Sequence, residues 1–337
     1  MIRIKRISPP EIFTRRNGPA DKEKKKAEEY YSAAELPEES FKFKFYSAYK
    51  DQYKDDLLKM FNSRCAYCEC FVTVGGRGDI EHFRPKGECT ALDSKVVRPG
   101  YYWLAADWDN LYLSCTNCNQ STTFKILDAN NPGEIIEKTA GKMNQFGLKD
   151  EQFRRNWHTK PLLEEEPYRL LIDPCKEDPE EFLEYTKDGL VKPHSNNGIA
   201  KEKAIYSIDV YALQREVLVK ARKEKYIQVM GKIIYVDKAS KFVIDDIKQN
   251  QEGEKEKFDQ EQLQLAFREL MDFLDVEKIP NEYIGLARQY IQPFLADYSE
   301  MLAELLDPIN NNQTWYPKMV EYLEQQVTAI KDYLSKT

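Results

Sequence analysis

The sequence lacks the positive charge that a protein binding nucleic acid on its own usually carries, because its net charge at pH 7 is -7. It also lacks any apolar run approaching the roughly 18 residues of a membrane span, so we expect no membrane partner. Residues 1–10 are charged and contain no apolar core of a secretory signal, so we expect a cytoplasmic protein. In that reducing compartment, seven cysteines indicate metal ligands rather than disulfides.

Apolar and aromatic residues are frequent enough for about two folded domains in a chain of 337 residues. Apolar residues make up 42% of the chain and aromatic residues 12%, which is enough to form a core and excludes general disorder. Charged residues reach 32%, and this favours amphipathic helices over a thick parallel sheet. We therefore predict an α+β fold that is mainly α-helical.

Residues 1–60 are predicted to form a basic N-terminal arm and a helical lead-in. The first 26 residues hold nine Lys or Arg and three Asp or Glu, a local charge of +6. Pro9, Pro10 and Pro19 disfavour a regular helix, so we predict that this arm is extended. The arm is either a solvated tail or a segment that binds a partner or a phosphate.

Residues 131–337 are predicted to form a mostly helical region, which either docks a partner or acts as a scaffold. Its first part, residues 130–160, is polar and contains Asn-Asn-Pro-Gly, which is typical of a linker or insertion with one short helix. Beyond Gly198, apolar residues recur with a helical period of 3.6. The clearest stripes are Leu263, Phe267, Leu270, Met271 and Leu274, and Val320, Leu323, Val327, Ile330 and Leu334.

Two pairs of cysteines with C-x2-C spacing lie in the middle segment, residues 61–130. The pairs are Cys65 with Cys68 and Cys115 with Cys118. Two thiolates in each of two tight turns can complete the tetrahedral shell of a structural Zn²⁺ ion. The alternatives are unrelated buried thiols or a single redox pair, although a redox pair needs only one such motif. The other three cysteines, Cys70, Cys89 and Cys175, are interpreted as ordinary small apolar residues, with Cys70 as an alternative, substitute ligand.

A histidine accompanied by carboxylates lies between the cysteine pairs. Asp79, Glu81 and His82 share a short run, and Asn119 directly follows the fourth cysteine. A neutral imidazole is a natural base for the water in phosphodiester hydrolysis, while carboxylate and amide oxygens suit a hard divalent cation. In a strand, Asp79 and Glu81 share one face and His82 lies on the other. Glu81 therefore points away from His82 unless a twist or strand end intervenes, and Asp79 is a second candidate carboxylate.

These motifs together resemble an HNH endonuclease with a four-cysteine zinc site. More narrowly, the sequence is similar to the PtuB family of Septu antiphage systems and to related HNH effectors encoded beside retrons. The resemblance covers roughly residues 1–220. Its motifs are CAYCE at 65–69, DIEHFRPK at 79–86, YWLA at 102–105, WDNL at 108–111 and CTNCN at 115–119.

The resemblance implies a ββα-metal fold for residues 61–130, in which a hairpin is followed by a helix. By position, His82 then corresponds to the general base and Glu81 to the metal carboxylate. Asn110 corresponds to the asparagine that holds the loop carrying the histidine, and Asn119 to the second metal ligand. The implied cofactors are structural Zn²⁺ and catalytic Mg²⁺ or Mn²⁺.

The expected substrate is a nucleic acid, and the expected partner is a PtuA-type ATPase. The resemblance also implies, for some members, a retron reverse transcriptase with its RNA–DNA hybrid. Residues 61–130 carry seven basic and eight acidic side chains, a local charge of -1, so a partner or the basic arm must help to bring the nucleic acid. Arg84 and Lys86 are weaker candidates for phosphate contact, since charged loop residues are often only solvated.

Two other functions stay open at this stage. The nuclease could cut RNA, such as tRNA, instead of DNA, because nothing in these residues separates the two substrates. The module could instead be non-catalytic and bind nucleic acid or protein through its zinc-stabilised surface. That alternative predicts no dependence on His82, and it would be favoured by a basic surface that the sequence lacks.

Overall fold

The computed structural model of the chain describes residues 1–33, 39–73, 78–128, 133–249, 255–277, 281–309 and 317–336. These residues form two compact units, Met1–Lys220 and Ala221–Thr337. The predicted segments 1–60 and 61–130 lie together in the first unit. Their borders at residues 60 and 130 stay predictions.

The first unit is built from short helices and short antiparallel strands. Its helices are α1 (Glu11–Thr14), α2 (Pro19–Tyr31), α3 (Phe45–Tyr49), α4 (Lys54–Met60), α5 (Thr116–Asn119) and α6 (Gly198–Val210). Its described strands are β1 (Asp79–His82), β2 (Cys89–Thr90), β3 (Val96–Val97), β4 (Leu111–Ser114), β5 (Thr122–Leu127), β6 (Ile135–Ala140), β7 (Leu183–Tyr185) and β8 (Val191–Pro193). They pair as four two-stranded sheets, β1–β4, β2–β3, β5–β6 and β7–β8.

Aromatic side chains surround the β1–β4 sheet and form a large part of the first unit's core. Every residue of β4 is buried, as expected for a short apolar run covered on both faces. The ring of Tyr112 lies 5.2 Å from that of Phe83, and Tyr67 stacks on Tyr211 at 3.9 Å. Such pairs add about 0.5–1.5 kcal/mol beyond the area they bury, so this packing fixes the strands firmly.

The extended basic arm predicted for the first 26 residues is wrong in its second half. Helix α2 begins at Pro19. Proline is accepted at the first position of a helix, because amide hydrogens in the first turn have no partner within the helix and none is lost there. The first half is not a free tail either. The backbone nitrogen of Ile4 donates to the oxygen of Pro174 at 2.8 Å, and Trp108 Nε1 donates to the oxygen of Ile7 at 3.1 Å.

The linker or insertion predicted for residues 130–160 is wrong at residues 135–140, which form β6, while its one predicted short helix corresponds to a 3₁₀ turn at Glu151–Phe153. Strand β6 pairs with β5 along its whole length, from Leu127 opposite Ile135 to Thr122 opposite Ala140. Asn-Asn-Pro-Gly therefore lies between two paired strands, although residues 129–132 are outside the described residues. Turn-forming residues occur in hairpins as well as in linkers, and most apolar side chains of these two strands are exposed or only half-buried, so the alternating pattern of a strand is weak here.

The second unit is helical, as predicted for the chain beyond Gly198, whereas residues 133–197 of the predicted helical region 131–337 contain strands β6, β7 and β8 and short 3₁₀ turns. Helix α7 (Glu216–Gln249) begins in the first unit, and α8 (Lys255–Met271), α9 (Ile284–Ile309) and α10 (Pro317–Lys336) follow. Both predicted apolar stripes are confirmed, since their members belong to the unit's core or pack against it. The chain as described is thus a mixed α+β fold that is mainly α-helical. Among the described residues, no helix is both long and apolar enough to cross a membrane.

Candidate functional site

The two cysteine pairs come together, so the predicted four-cysteine cluster is confirmed. The Sγ atoms of its members lie within 4.8 Å of one another, and they are Cys65, Cys68, Cys115 and Cys118. The sulfurs of Cys68 and Cys115 are 3.7 Å apart, close to the roughly 3.8 Å between thiolates that share one tetrahedral Zn²⁺. The donor set therefore fits a metal such as zinc.

Each cysteine pair is held in a tight turn by its own backbone. Cys65 donates its amide hydrogen to the oxygen of Cys70 at 2.9 Å, and Glu69 reaches the left-handed region with φ +66°. In the second pair, the nitrogen of Cys118 donates to the oxygen of Cys115 at 3.1 Å. This contact forms the single turn of α5, so a metal at the cluster would also fix α5.

Two further side chains contact the cluster: Cys70, which the sequence offers as a substitute ligand, and Arg215, which the sequence does not predict. The sulfur of Cys70 lies 3.2 Å from that of Cys68, so Cys70 is more than an ordinary apolar residue. Arg215 Nη1 donates to Cys118 Sγ at 3.5 Å, and Nη2 to Cys115 Sγ at 3.9 Å. Burial lowers the pKa of Arg215, but the cysteine sulfurs outweigh burial and raise it. A fixed positive charge therefore lies beside the thiolates that a metal would need.

The β1–β4 sheet connects the cysteine cluster to the predicted catalytic residues. Asp79 pairs with Ser114 at one end of the sheet and His82 with Leu111 at the other. The first cysteine turn is attached to β4, because the nitrogen of Ala66 donates to the oxygen of Leu113 at 2.9 Å. The paired strands β1 and β4 are followed by α5, but β2 and β3 lie between them in the chain, and α5 has only four residues.

The imidazole of His82 is held in one orientation at the end of β1. Its Nε2 lies 3.0 Å from the backbone oxygen of Ala105. Because that oxygen only accepts, Nε2 carries the hydrogen and Nδ1 keeps its lone pair. Burial, aided by the charge of Lys86, lowers the pKa of His82 to about 3, so the ring is neutral at physiological pH. A neutral ring has the lone pair that accepts a proton, although the lowered pKa makes it a weaker base than a free imidazole.

Asn110 joins the loop after His82 to the start of β4. Its Oδ1 accepts the amide hydrogen of Arg84 at 2.8 Å, and its Nδ2 donates to the oxygen of Arg84 at 2.9 Å and to that of Leu104 at 3.2 Å. The side chain is 4% exposed. Both polar atoms of a buried amide thus fix the backbone of Arg84, two residues after the histidine, and that of Leu104, next to the Ala105 that binds the ring.

Glu81 presents a buried carboxylate next to a buried ammonium. Lys142 Nζ lies 2.5 Å from Glu81 Oε1, so this buried oxygen already faces a cation. Burial raises the pKa of Glu81, and the charge of Lys142 opposes this rise. A carboxylate that lines the cleft and already attracts a positive charge has the chemistry of a ligand for a hard divalent cation, so Glu81 fits the role of a metal ligand.

Asp79 and Asn119 contact each other across the sheet and helix. Asn119 Nδ2 donates to Asp79 Oδ2 at 3.1 Å, and Gln120 Nε2 donates to the same oxygen at 3.1 Å. Because Asp79 takes the amide hydrogen of Asn119, the Oδ1 atom of Asn119 is left to act as an acceptor. Asp79 is therefore placed to orient Asn119.

One cleft of about 510 Å³ collects most of the predicted residues. Glu81, His82, Lys86 and Asn119 all line it. Glu81 and His82 thus reach the same cleft, although successive strand residues normally face opposite sides. Both lie at the end of β1, where the strand alternation no longer separates them.

The two predicted phosphate contacts differ in their surroundings. Arg84 is 3% exposed and forms ion pairs with Glu165 at 3.1 Å and Glu166 at 3.0 Å. It faces the interior and is not placed to bind phosphate, so this expectation is corrected. Lys86 lines the cleft, and its ammonium lies 5.3 Å from the ring centre of Phe43.

Sequence reasoning missed three cations that contact the site. They are Lys142 at Glu81, Arg215 at the cysteine cluster, and Arg6, whose Nη1 donates to the oxygen of Trp108 at 2.8 Å. Arg6 also stacks on Tyr112, 4.6 Å from the ring centre. Each comes from a distant part of the chain, and no local pattern marks it. For Lys142, the preceding Gly141 was the only local indication, because a glycine permits the backbone to approach another segment closely.

Comparison with known proteins identifies two relatives. The chain is 31% identical to the Septu protein PtuB of Bacillus mycoides (strain KBAB4) over 281 residues, which cover 81% of the chain and 84% of that protein. It is 27% identical to the Septu protein PtuA of the same strain over 171 residues, which cover 50% of the chain and 20% of that protein. No family model matches the sequence.

Proposed function

Since the chain belongs to the PtuB family of Septu proteins, we propose that it is a metal-dependent HNH endonuclease that hydrolyses phosphodiester bonds in DNA. We further propose that it is the effector subunit of an antiphage defence complex, as its family implies. The observation that carries the nuclease proposal is the oriented, neutral imidazole of His82 in one cleft with Glu81 and Asn119.

In this proposal His82 is the general base. Its Nε2 hydrogen is engaged by the oxygen of Ala105, so Nδ1 accepts the proton of the water that attacks the phosphorus. Asn110 is a positioning residue, because it fixes the backbone that carries the histidine. Lys86 lies in the same cleft and would contact a phosphate oxygen of the substrate.

Glu81 and Asn119 would hold the Mg²⁺ or Mn²⁺ ion, which supplies positive charge to the phosphate and the departing oxygen when bound. Asp79 would keep the amide of Asn119 oriented. The cysteine cluster would hold Zn²⁺ with four thiolates and no open position, so its contribution would be structural.

Partners belong to the same proposal. Residues 61–130 carry a local charge of -1, and tight unaided binding to a nucleic acid generally needs several basic contacts. We therefore propose that a PtuA-type ATPase brings the substrate to His82 or controls access to it. A retron reverse transcriptase with its RNA–DNA hybrid is a further proposed partner, as in the retron-associated relatives that the sequence resembles.

The test is a cleavage assay on plasmid DNA and on total RNA with Mg²⁺ or Mn²⁺, with and without the ATPase. We expect DNA cleavage that His82→Ala abolishes while bound zinc is unchanged. The matched control is His194→Ala, since His194 is exposed and has no place in the proposed site. Cleavage of RNA alone would change the substrate to RNA. Cleavage by His82→Ala at the wild-type rate would overturn the mechanism and favour a non-catalytic zinc module.

A further inference from the structure

Lys142 has an unusual position for a lysine, because its side chain is 0% exposed. Its ammonium lies 2.5 Å from Glu81 Oε1 and donates to the backbone oxygen of His82 at 2.9 Å. The described residues thus provide one carboxylate and one carbonyl for a fully buried charge. Removing an ammonium from water is costly, and such pairs are often no more stable than apolar replacements. Stability alone is therefore a weak reason for this lysine.

The backbone of Lys142 contacts the other half of the site. Its nitrogen donates to the oxygen of Cys118 at 2.9 Å, and the next nitrogen, that of Met143, donates to the oxygen of Asn119 at 2.7 Å. Gly141 permits this approach, since a Cβ atom there would lie 2.1 Å from the oxygen of Gln120. One residue therefore connects the helix that carries Asn119 with the strand that carries Glu81.

We propose that Lys142 is a positioning residue that acts as an internal cation at Glu81 and competes there with the divalent ion. This inference rests on the proposed function, in which Glu81 is a metal ligand. The ammonium holds the Glu81 carboxylate in place, and its charge repels a second cation bound to the same group. The free protein then binds the divalent ion weakly, and a phosphate of the substrate is needed to complete the site.

The experiment is a titration of the full chain with Mn²⁺, followed by electron paramagnetic resonance of the free ion. Lys142→Gln removes the charge and keeps an amide that can donate to the oxygen of His82. We expect roughly tenfold tighter Mn²⁺ binding in Lys142→Gln than in the wild type, because the repulsion is removed. Adding Glu81→Gln to Lys142→Gln should abolish this gain in Mn²⁺ affinity. Lys138→Gln is the matched control, since Lys138 lies on β6 and pairs with Asp209 at the surface.

Unchanged or weaker Mn²⁺ binding in Lys142→Gln would overturn the proposal, because a merely structural lysine would only loosen the site. If Lys142→Gln does not fold without metal, the yield of folded protein after refolding is measured instead, once with Mn²⁺ and once without it. Recovery that requires Mn²⁺ supports the proposal, and equal loss under both conditions overturns it. The titration uses no substrate, so its result is independent of whether DNA is cut. The nuclease proposal fails separately, when His82→Ala cuts like the wild type.

Discussion

Nε2 of His82 and the backbone oxygen of Ala105 lie 3.0 Å apart. A carbonyl oxygen accepts and never donates, so this contact selects the tautomer in which Nε2 carries the hydrogen. The contact with Ala105 therefore leaves Nδ1 as the ring nitrogen with an available lone pair. Three histidines are present in the chain, which makes the tautomer of His82 accessible to direct measurement.

The first prediction concerns this tautomer. We expect the ¹⁵N chemical shifts of His82 at neutral pH to show a protonated Nε2 and an unprotonated Nδ1, because the Ala105 oxygen holds the hydrogen. Two-dimensional ¹H–¹⁵N spectra of the imidazole rings provide the measurement. Spectra of His158→Gln and His194→Gln assign the three rings by elimination. A ring with its hydrogen on Nδ1 would contradict the proposed base.

The second prediction concerns Asn110. Asn110→Ala leaves the amide hydrogen and oxygen of Arg84 without their partners inside the first unit. Each buried group that loses its partner costs about 1–3 kcal/mol, so we expect the free energy of unfolding to fall by roughly 3 kcal/mol. Nuclease activity should fall as well, since the loop carrying His82 is no longer fixed.

Urea denaturation followed by circular dichroism measures the stability of Asn110→Ala. The control is Asn196→Ala, because Asn196 is exposed and lies outside the site. Its unfolding free energy should stay within about 0.5 kcal/mol of the wild type. Equal stability of the two variants would mean that the three hydrogen bonds of Asn110 contribute little.

Local sequence patterns were sufficient for those parts of the site that neighbouring residues build. Each cysteine pair forms a turn of a few residues, so its spacing predicts the cluster directly. The family resemblance grouped Glu81, His82 and Asn119, and these three side chains do line one cleft, whereas strand alternation alone placed Glu81 away from His82. The same reasoning failed for α2, because a proline that opens a helix was read as one that prevents it.

Local patterns did not predict the contacts between distant segments of the chain. Lys142 is 60 residues from His82, and Arg215 is 97 residues from Cys118. Their roles depend on where the β5–β6 hairpin and the residues before α7 are placed by packing. In the sequence each is one more basic residue among 50. Arg84 shows the converse, because a basic residue beside the motif turns inward to Glu165.

The third prediction concerns pH and Glu166. This carboxylate pairs with Arg84 at 3.0 Å, Arg169 at 2.8 Å and Lys176 at 2.8 Å. Burial raises the pKa of Glu166, but the three cations outweigh burial and lower it below its usual value of 4.5. A lowered pKa in the folded state means that the ionised group stabilises the fold above pH 4.5, and that this stability is lost as the pH falls further.

We therefore expect the melting temperature of Glu166→Gln to lie below that of the wild type at neutral pH. The difference should shrink as the pH falls from 4.5 towards the lowered pKa, because the carboxylate then takes up a proton in the unfolded chain while it stays ionised in the folded one. Differential scanning calorimetry between pH 7 and pH 3 measures both curves. Glu164→Gln, which removes a more exposed carboxylate nearby, corrects for the general effect of charge. A difference that grows on acidification would contradict the assigned direction.

The fourth prediction concerns Arg215 and the cysteine cluster. A metal held by four thiolates carries a net negative charge, and the guanidinium of Arg215 donates to the sulfurs of Cys118 and Cys115. Removing such an outer partner commonly lowers metal affinity about 10- to 100-fold. We therefore expect Arg215→Gln to release zinc to a chromogenic chelator at least tenfold faster than the wild type.

Two further variants make this zinc measurement specific. Lys220→Gln removes a positive charge from the same stretch of chain, but the Lys220 side chain is 73% exposed, so zinc release should match the wild type. Cys70→Ser should still bind one zinc ion per chain, because the sulfur of Cys70 lies beside the four-cysteine set without belonging to it. Cys65→Ala should bind none and fold poorly, because metal binding and folding are coupled. Loss of zinc from Cys70→Ser would instead show that the fifth cysteine is a ligand, and Arg215 would then face a different set of thiolates.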